Sequence, residues 1–356
     1  MAKICFSMSG EGRGHATRVR ALADMLRPRH EISLYAPGDA HELLAPAYAG
    51  TEVQVHHIPC MRFHYADSGR LDILRTGWHG AGYLLQLPAL VRKLEHQLRD
   101  TAPDLAVVDF EPALPRAARR LGIPYISLDH QHFLLVNDLS DLPGWLRRRA
   151  ALMGLVVRMY HGGMARTVVS SFYRPPLKPS ASDAIQTGVI LRPLVLNARR
   201  ERRGHLAVYL RKFSGGHVIQ ALRELDVPCR VYGLGCLPAE GPLVYKDVSE
   251  EDFVEDLATC EALVCTAGNQ LVGEALYLGK PVFAIPEPSN HEQYINAWFL
   301  AREGTGEWEE MHSVTARRLA SFLDQLDIYR TRIDPERYNG NSIALSVIEE
   351  LTGVGR

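Results

Sequence analysis

The chain has 356 residues, of which 46% are hydrophobic, and its formal net charge is −1. This length predicts two domains, each with a core of its own. A nearly neutral chain has no global attraction to a polyanion, so composition gives no argument for a nucleic-acid partner.

Targeting and redox features predict a cytoplasmic protein. The N-terminal sequence MAKICFSMSGEGRGH has too short an apolar run for a signal peptide and leads into a glycine loop. No stretch of about 18 uncharged apolar residues is present, so we expect no membrane span. The six cysteines show no Cys-x-x-Cys pair and no zinc-ligand spacing, which predicts reduced thiols.

Short β-rich runs alternate with helical patterns, and this alternation occurs once in each half of the chain. The pattern is typical of parallel sheets with helices on both faces, so we predict an α/β fold with two doubly wound domains. The predicted strands are Lys3–Met8, Ile32–Tyr35, Val53–Ile58, Leu105–Val108, Tyr125–Leu128, Leu206–Leu210, Cys229–Tyr232, Leu243–Tyr245, Ala262–Cys265 and Val282–Ile285.

The division between the two units is predicted at the segment TGVILRPLVLNARRERRG, which is rich in arginine and contains proline and glycine. We assign residues 1–188 to an N-terminal domain, 189–204 to a linker and 205–335 to a C-terminal domain. Residues 336–356 are predicted to form a helix that packs back on the N-terminal domain. The arginines of the linker are interpreted as solvated, because charge runs usually face solvent.

Two helices in the second half have clear boundary signals. Ser249 followed by Asp252 is a capping-box arrangement, which predicts a helix start at Ser249. A second helix is predicted over Leu271–Leu278, because Gly279 can end it and Pro281 cannot continue it.

The first predicted strand runs into the loop SGEGRGHATR. Glycines let the backbone turn sharply and approach a ligand closely, and the N-terminus of the next helix favours an anion. We therefore predict that Gly12, Arg13 and Gly14 form a phosphate or acceptor loop. The spacing differs from Gly-x-Gly-x-x-Gly, and the second strand ends at Tyr35-Ala36-Pro37 with no acid at its tip, so a dinucleotide site is disfavoured.

His15 follows this loop at the carboxyl end of the first strand, where open α/β sheets bind ligands. Imidazole titrates near neutral pH, so His15 is the leading candidate for a catalytic base. Two acids after the fourth strand, Asp109 and Glu111, are alternative bases.

A polar constellation in the second half predicts a ligand site. Glu274 lies one turn into a helix, where its carboxylate can accept hydrogen bonds from the two hydroxyls of a ribose. Asn290, His291 and Gln293 follow the next strand and can bind sugar hydroxyls. The loop before the helix can cradle a ligand with its backbone and consists of Thr266, Ala267, Gly268, Asn269 and Gln270.

A plausible pyrophosphate site follows the strand Leu206–Leu210. Ser214, Gly215 and Gly216 can present backbone N–H groups there at a helix start. Gly279-Lys280 does not form a phosphate loop, because Pro281 stands where Ser or Thr is needed.

With these motifs, the chain resembles the GT-B glycosyltransferases, especially the branch of MurG and the UDP-glycosyltransferase-like enzymes. The loop Gly10–His15 and the motif Thr266–Asn296 carry the resemblance, which covers nearly the whole chain. It implies two Rossmann-like domains that face each other across a cleft containing the active site. It also implies that Glu274 holds the donor ribose and that the backbone near Val248 recognises the base.

The resemblance further implies that Gln293 binds the donor sugar, with His291 or Asn290, and that His15 is a base or an electrostatic aid. Donors in this branch are usually UDP-sugars, and transfer usually inverts the anomeric centre. No Asp-x-Asp motif occurs, which fits a metal-independent enzyme without a cofactor. The phosphate loop departs from the family, since it reads RKFSGGH instead of a Gly-Gly-Ser run.

The acceptor site is expected in N-terminal loops, including residues 60–80. Asp129-His130-Gln131-His132 could suggest a metal cluster, but adjacent strand residues point to opposite faces, so no metal is predicted. The segment Trp145–Arg166 mixes apolar residues with arginines. It is interpreted as an ordinary amphipathic helix, with peripheral contact to anionic lipid on the inner face of the membrane as the alternative.

Three functions remain open from the sequence. The first is an inverting glycosyltransferase that uses a nucleotide-sugar and a hydroxyl acceptor. The second is a nucleotide-sugar hydrolase or epimerase on the same scaffold, since the hydrolase of pseudaminic acid synthesis begins with a similar motif, here Gly12, Gly14, His15 and Arg18. The third is a non-catalytic nucleotide-sugar binder. The sequence names neither the sugar, the acceptor nor the oligomeric state.

Overall fold

The computed structural model describes residues 1–10, 13–60, 73–160, 162–211, 216–247 and 249–353. These residues form two parallel sheets with helices packed on their faces, so the predicted fold class is confirmed. The central strands of both sheets are buried on both faces, which explains their continuous apolar sequences.

The N-terminal sheet has the strand order β3-β2-β1-β4-β5-β6-β7, with every pair parallel. Its strands are β1 Lys3–Met8, β2 Glu31–Pro37, β3 Gln54–Ile58, β4 Leu105–Asp109, β5 Tyr125–Asp129, β6 Arg166–Ser170 and β7 Ile185–Thr187. The helices of this half are α1 Arg13–Leu26, α2 Gly38–Ala47, α3 Ile73–Thr101, α4 Leu114–Leu121, α5 Phe133–Val136 and α6 Gly144–Tyr160.

The C-terminal sheet has the order β10-β9-β8-β11-β12-β13 and is also parallel throughout. Its strands are β8 Leu206–Tyr209, β9 Cys229–Tyr232, β10 Leu243–Lys246, β11 Ala262–Cys265, β12 Val282–Ala284 and β13 Gly306–Trp308. The remaining helices are α7 Pro193–Leu196, α8 Gly216–Leu225, α9 Glu250–Thr259, α10 Asn269–Tyr277, α11 His291–Glu303, α12 Ala316–Leu323, α13 Leu326–Arg332 and α14 Asn341–Thr352.

The predicted start of α9 and the predicted end of α10 are both observed. The Ser249 hydroxyl accepts a hydrogen bond from the Asp252 amide at 3.3 Å and so caps α9. Gly279 follows α10 with φ +74°, a conformation that favours glycine. The helix itself begins at Asn269, two residues before the predicted start.

The segment that joins the two sheets is more buried than its sequence suggests. Val189, Ile190 and Leu191 are completely buried, and Asn341 exchanges hydrogen bonds with the backbone of Leu191 at 2.8 and 2.9 Å. These three residues of the predicted linker therefore form part of the packing between the two halves. A boundary between independently folding units at 189–204 stays a prediction.

This buried segment also sets the position of α10. A β-carbon at Gly273 would lie only 2.4 Å from the Val189 side chain, so glycine lets the helix approach the segment closely. The approach brings Glu274 beside Arg192. The last helix, α14, packs Ala344 and Ile348 into the core of the N-terminal sheet.

Among the described helices, none combines the length and the apolar character that a bilayer-crossing segment requires.

Candidate functional site

A cleft of about 520 Å³ lies between the carboxyl ends of the two sheets. The N-terminal half contributes His15 and Arg18 from α1 to its lining, and the C-terminal half contributes Gln270 and Glu274 from α10. The two walls approach each other closely at Gly14. A β-carbon added to this glycine would lie 3.8 Å from Gln270 Cβ on the opposite wall. The cleft is thus the place where residues from both halves can meet one ligand.

A hydrogen-bonded triad occupies the N-terminal wall. His15 Nδ1 lies 2.9 Å from Asp109 Oδ1, and Arg18 reaches both Asp109 oxygens at 2.8 and 2.9 Å. When Nδ1–H donates to Asp109, Nε2 is the ring's remaining acceptor. The His15 side chain is 15% exposed and lines the cleft, whereas Asp109 is 2% exposed and lies behind it.

The fold positions this triad through neighbouring strands. Met8 at the end of β1 pairs with Asp109 at the end of β4, and α1 starts shortly after β1. His15 and Arg18 are three residues apart on α1 and therefore share one face of that helix. Burial by itself lowers the pKa of Arg18, but the carboxylates of Asp109, Asp129 and Glu292 together outweigh burial, and the pKa is raised above its ordinary value. Arg18 consequently remains a fixed positive charge beside Asp109.

Neither of the two alternative bases, Asp109 and Glu111, belongs to the cleft lining. Both oxygens of Asp109 are engaged by His15 and Arg18, so the geometry assigns this residue to holding His15. Glu111 accepts hydrogen bonds from the amides of Ala113 and Leu114 at 2.6 and 2.8 Å, and thereby caps the start of α4. Glu111 is buried outside the cleft lining, and burial raises the pKa of its carboxyl.

Glu274 lies on the C-terminal wall, where the sequence places it, but it has a partner that the sequence did not suggest. Arg192 donates to both carboxylate oxygens, at 2.7 and 3.2 Å, and Gln270 Nε2 donates at 2.9 Å. Arg192 also binds Glu250 at 2.9 Å, and Glu250 binds Arg20 of α1 at 2.9 Å. A chain of alternating charges therefore crosses from one half of the molecule to the other.

Arg192 is the main cleft residue that sequence reasoning missed, since the linker arginines were interpreted as solvated. Its side chain is 12% exposed. Burial by itself lowers its pKa, but Glu274 and Glu250 outweigh burial and raise it. Only its position in an apolar stretch, ILRPL, distinguishes it from the exposed arginines that follow.

The predicted cradle loop connects the two halves as well as lining the cleft. Asn269 donates to Ser170 O at 3.0 Å and accepts from the Phe172 amide at 3.2 Å. Gln270 Nε2 donates to Ile190 O at 2.7 Å. Thr266, Gly268, Asn269 and Gln270 line the cleft, whereas the Ala267 side chain is buried away from it.

The predicted sugar-binding trio is only partly brought to the cleft. Gln293 lines it, with Oε1 accepting from the Glu287 amide at 2.7 Å. Asn290 caps α11 by accepting from the Gln293 amide at 3.3 Å, and His291 starts the helix outside the cleft lining, where burial lowers its pKa. The structure therefore does not bring Asn290 and His291 to the site, because both belong to a helix terminus.

Several predicted positions lie outside the described residues, namely Gly12, Ser214, Gly215, Val248 and residues 61–72 of the acceptor segment. Arg13 is described as the first backbone position of α1, and Gly216 as the first residue of α8.

His130, which belongs to the strand-end segment Asp129–His132 and was considered for a metal cluster, lines the cleft. Its Nε2 lies 3.1 Å from Asn296 Oδ1, and burial lowers its pKa. Its neighbours Asp129 and His132 bind each other at 2.7 Å. Within the described part of the chain, no three His, Cys, Asp or Glu side chains are arranged to hold a metal ion.

Comparison with known proteins adds to this geometry. The model of "Glycosyl transferase family 1" matches residues 2–327. A UDP-N-acetylglucosamine–N-acetylmuramyl-(pentapeptide) pyrophosphoryl-undecaprenol N-acetylglucosamine transferase of Desulforudis audaxviator is 25% identical over 206 residues, which span 48% of this chain and 55% of that protein. An uncharacterized glycosyltransferase of Methanosarcina acetivorans is also 25% identical and covers 85% of this chain and 84% of its own length.

Among solved structures, Acinetobacter baumannii MurG superposes with a TM-score of 0.63 at 16% sequence identity, covering 98% of this chain and 100% of that one. This similarity concerns the fold, and it confirms the resemblance to the GT-B structures inferred from the sequence.

Proposed function

The chain belongs to glycosyl transferase family 1 and is a glycosyltransferase with the GT-B fold; from this premise, we propose that it transfers a sugar from a UDP-sugar to a hydroxyl acceptor. We further propose that the transfer inverts the anomeric centre and needs no divalent metal. We also propose that the reaction takes place in the cytoplasm, which the six free cysteines support.

One observation carries the proposal: a histidine held by a buried carboxylate faces a carboxylate and an amide across a cleft. His15 and Asp109 are 2.9 Å apart on one wall, and Glu274 and Gln270 are 2.9 Å apart on the other. A base and a group suited to a ribose thus belong to different halves. A donor bound on the second wall can present its sugar to an acceptor held near the first.

The proposed chemistry takes the His15 tautomer in which Nδ1–H donates to Asp109. Nε2 accepts the proton of the acceptor hydroxyl as its oxygen forms a bond to the anomeric carbon. The bond between that carbon and the diphosphate oxygen breaks, and its electron pair leaves with the nucleoside diphosphate. Asp109 stabilises the imidazolium that forms, because its carboxylate already lies beside Nδ1.

Negative charge that develops on the diphosphate can be stabilised by side chains of the cleft. Arg20, Arg192 and Arg211 line it together with Arg18. Fixed positive groups that are oriented before the reaction lower the energy of a charged leaving group without reorganisation. This supports a reaction in which arginines take the place of a divalent ion.

On the donor wall, we propose that Glu274 accepts hydrogen bonds from the ribose hydroxyls. Arg192 and Gln270 already fix the orientation of this carboxylate. A carboxylate held by both partners costs little further ordering when a ligand arrives. Gln293 can contribute to the sugar site after it exchanges its bond to Glu287.

The test is to incubate the protein with a panel of UDP-sugars, with and without candidate hydroxyl acceptors, and to measure both released UDP and glycosylated product. We expect UDP release that depends on an acceptor and equals product formation. UDP released at the same rate without acceptor would establish hydrolysis instead, and no release under any condition would favour a non-catalytic binder.

A further inference from the structure

His130 follows β5 in the N-terminal half and lines the cleft, although only 2% of the residue is exposed. Its ring stacks on Phe133 with the centroids 4.7 Å apart, and it meets the ring of Tyr173 edge-on at 5.7 Å. Packing on both rings fixes the position of the imidazole before any ligand arrives.

The tautomer of His130 follows from the amide of Asn296 on α11. Asn296 Nδ2 donates to Ala267 O at 2.8 Å, so the amide oxygen Oδ1 is the atom that lies 3.1 Å from His130 Nε2. Because this oxygen can only accept, Nε2 carries the hydrogen. Burial lowers the pKa of His130 and so favours the neutral ring, in which Nδ1 is then a hydrogen-bond acceptor.

This acceptor is not used by the protein. His130 Nδ1 is buried and has no hydrogen-bond partner among the described residues. Gln270 on the opposite wall is similar, since its Nε2 donates to Ile190 O and Glu274 while its buried Oε1 has no partner in the described part of the chain. Buried acceptors without partners are uncommon in folded proteins, and in a cleft they suit a ligand that donates hydrogen bonds.

We propose that His130 Nδ1 accepts a hydrogen bond from a hydroxyl of the transferred sugar, and that the site thereby selects neutral sugars over uronic acids. This inference rests on the proposed function, which supplies the UDP-sugar. Asn296, which His130 contacts, lies three residues after Gln293 and therefore on the same side of α11. His130 thus meets the sugar from the N-terminal wall and Gln293 meets it from the C-terminal wall.

The selection follows from the chemistry of the surrounding groups. His130 Nδ1 and Gln270 Oε1 present lone pairs, and Glu292 Oε1, also in the cleft lining, lies 3.9 Å from His130 Nε2. A sugar hydroxyl has a hydrogen to donate to such groups, whereas the carboxylate of a uronic acid brings only lone pairs and negative charge. Arg18 on the same wall is already bound to both oxygens of Asp109. The site therefore disfavours a uronic acid.

The test is calorimetric binding of UDP and of four UDP-sugars to the full chain. Three of them carry a neutral sugar, namely UDP-glucose, UDP-galactose and UDP-N-acetylglucosamine, and the fourth is UDP-glucuronate. At least one neutral donor should bind the wild type at least about 10-fold more tightly than UDP-glucuronate, because a site built to bind a hydroxyl strongly rejects a ligand that leaves its acceptors unpaired.

Two variants separate the sugar contact from the bond to Asn296. His130→Asn can place an amide oxygen near the position of Nδ1 but is too short to reach Asn296, whereas His130→Gln can donate to Asn296 but has no acceptor at the position of Nδ1. We expect His130→Gln to weaken binding of the preferred neutral donor by at least about 5-fold, and His130→Asn to retain most of its affinity. Both variants, and the exposed control His312→Gln, should bind UDP like the wild type.

The possible outcomes distinguish this inference from the proposed function. A wild type that does not bind UDP would overturn the proposed function, and the inference with it. If UDP binds, equal or tighter binding of UDP-glucuronate would overturn the selection of neutral sugars. A loss in His130→Asn with retention in His130→Gln would show that His130 acts only through Asn296. Equal affinity of both variants for the neutral donor, whether lowered or unchanged, would also overturn the sugar contact.

Discussion

The two walls of the cleft are both rich in charged and polar groups, but they differ in how those groups are satisfied. On the N-terminal wall, Asp109 and Arg18 are almost completely buried and hold His15 through its Nδ1 atom. On the C-terminal wall, Glu274 and Gln293 are the groups best suited to a donor, yet both are bonded to other protein groups.

This difference suggests separate roles for the two walls, the N-terminal one in the chemical step and the C-terminal one in donor binding. A buried triad with one remaining ring acceptor needs no rearrangement to remove a proton. In the proposed function, the groups of the other wall must keep, share or exchange their partners when a donor arrives, so we expect them to determine affinity. Substitutions on the first wall should therefore alter the rate, and substitutions on the second should alter binding.

The largest effect is expected for His15→Ala. Loss of a general base costs about 10²–10⁴ in rate, so kcat should fall by that factor while UDP affinity changes little. Steady-state kinetics and calorimetry with UDP give the two values. His312→Ala, which changes an exposed histidine, is the control. A variant that turns over normally would remove His15 from the chemistry, and a loss of UDP affinity alone would make it a phosphate ligand.

Asp109→Asn tests whether the buried ion pair between Arg18 and Asp109 stabilises the N-terminal wall. The change leaves the Arg18 guanidinium buried without its anionic partner, so the free energy of unfolding should fall by about 3–5 kcal/mol. Urea unfolding measures it, and Asp327→Asn is the control because Asp327 is 91% exposed. We also expect a lower kcat in folded Asp109→Asn protein. An unchanged free energy of unfolding would show that this ion pair does not stabilise the N-terminal wall.

The strands that form the two sheets were largely predictable, because buried parallel strands give continuous apolar runs between helical patterns. Ten strands were predicted close to their observed bounds, and three were not. β7 and β13 have three residues each, Ile-Gln-Thr and Gly-Glu-Trp, and unlike the equally short β12 they lack a continuous apolar run. β6 was missed because the predicted amphipathic segment was extended to Arg166, its first residue.

The candidate site was predictable as a set of loops but not as a set of contacts. Positions at strand ends indicated His15 and Glu274, since ligands bind at that edge of a parallel sheet. The partner of Glu274 could not be inferred, because Arg192 is 82 residues distant and its contact depends on the packing of Gly273 against Val189. The same holds for Asp109, which follows His15 by 94 residues and contacts it only because β1 and β4 are neighbours.

Glu274→Ala tests the second wall, where a smaller effect is expected. Loss of the ribose acceptor should weaken UDP binding by about 1–3 kcal/mol, the cost of leaving buried polar partners unpaired. Calorimetry with UDP measures this change, and kcat at saturating donor should change less than KM. Glu224→Ala, at an exposed position of α8, is the control. Unchanged UDP affinity would contradict the assignment of the ribose to Glu274.

The smallest effect is expected from removal of divalent metal. A metal ion at the leaving diphosphate would need carboxylates that are not already neutralised, yet Glu250 is paired with Arg20 and Arg192, and Glu274 with Arg192. These arginines leave little negative charge for a cation and can themselves face the diphosphate. Turnover should therefore change less than about 2-fold in EDTA, a barrier change below about 0.5 kcal/mol. Complete loss of turnover that added Mg²⁺ restores would mean that the second wall exchanges its arginines for a metal when the donor binds.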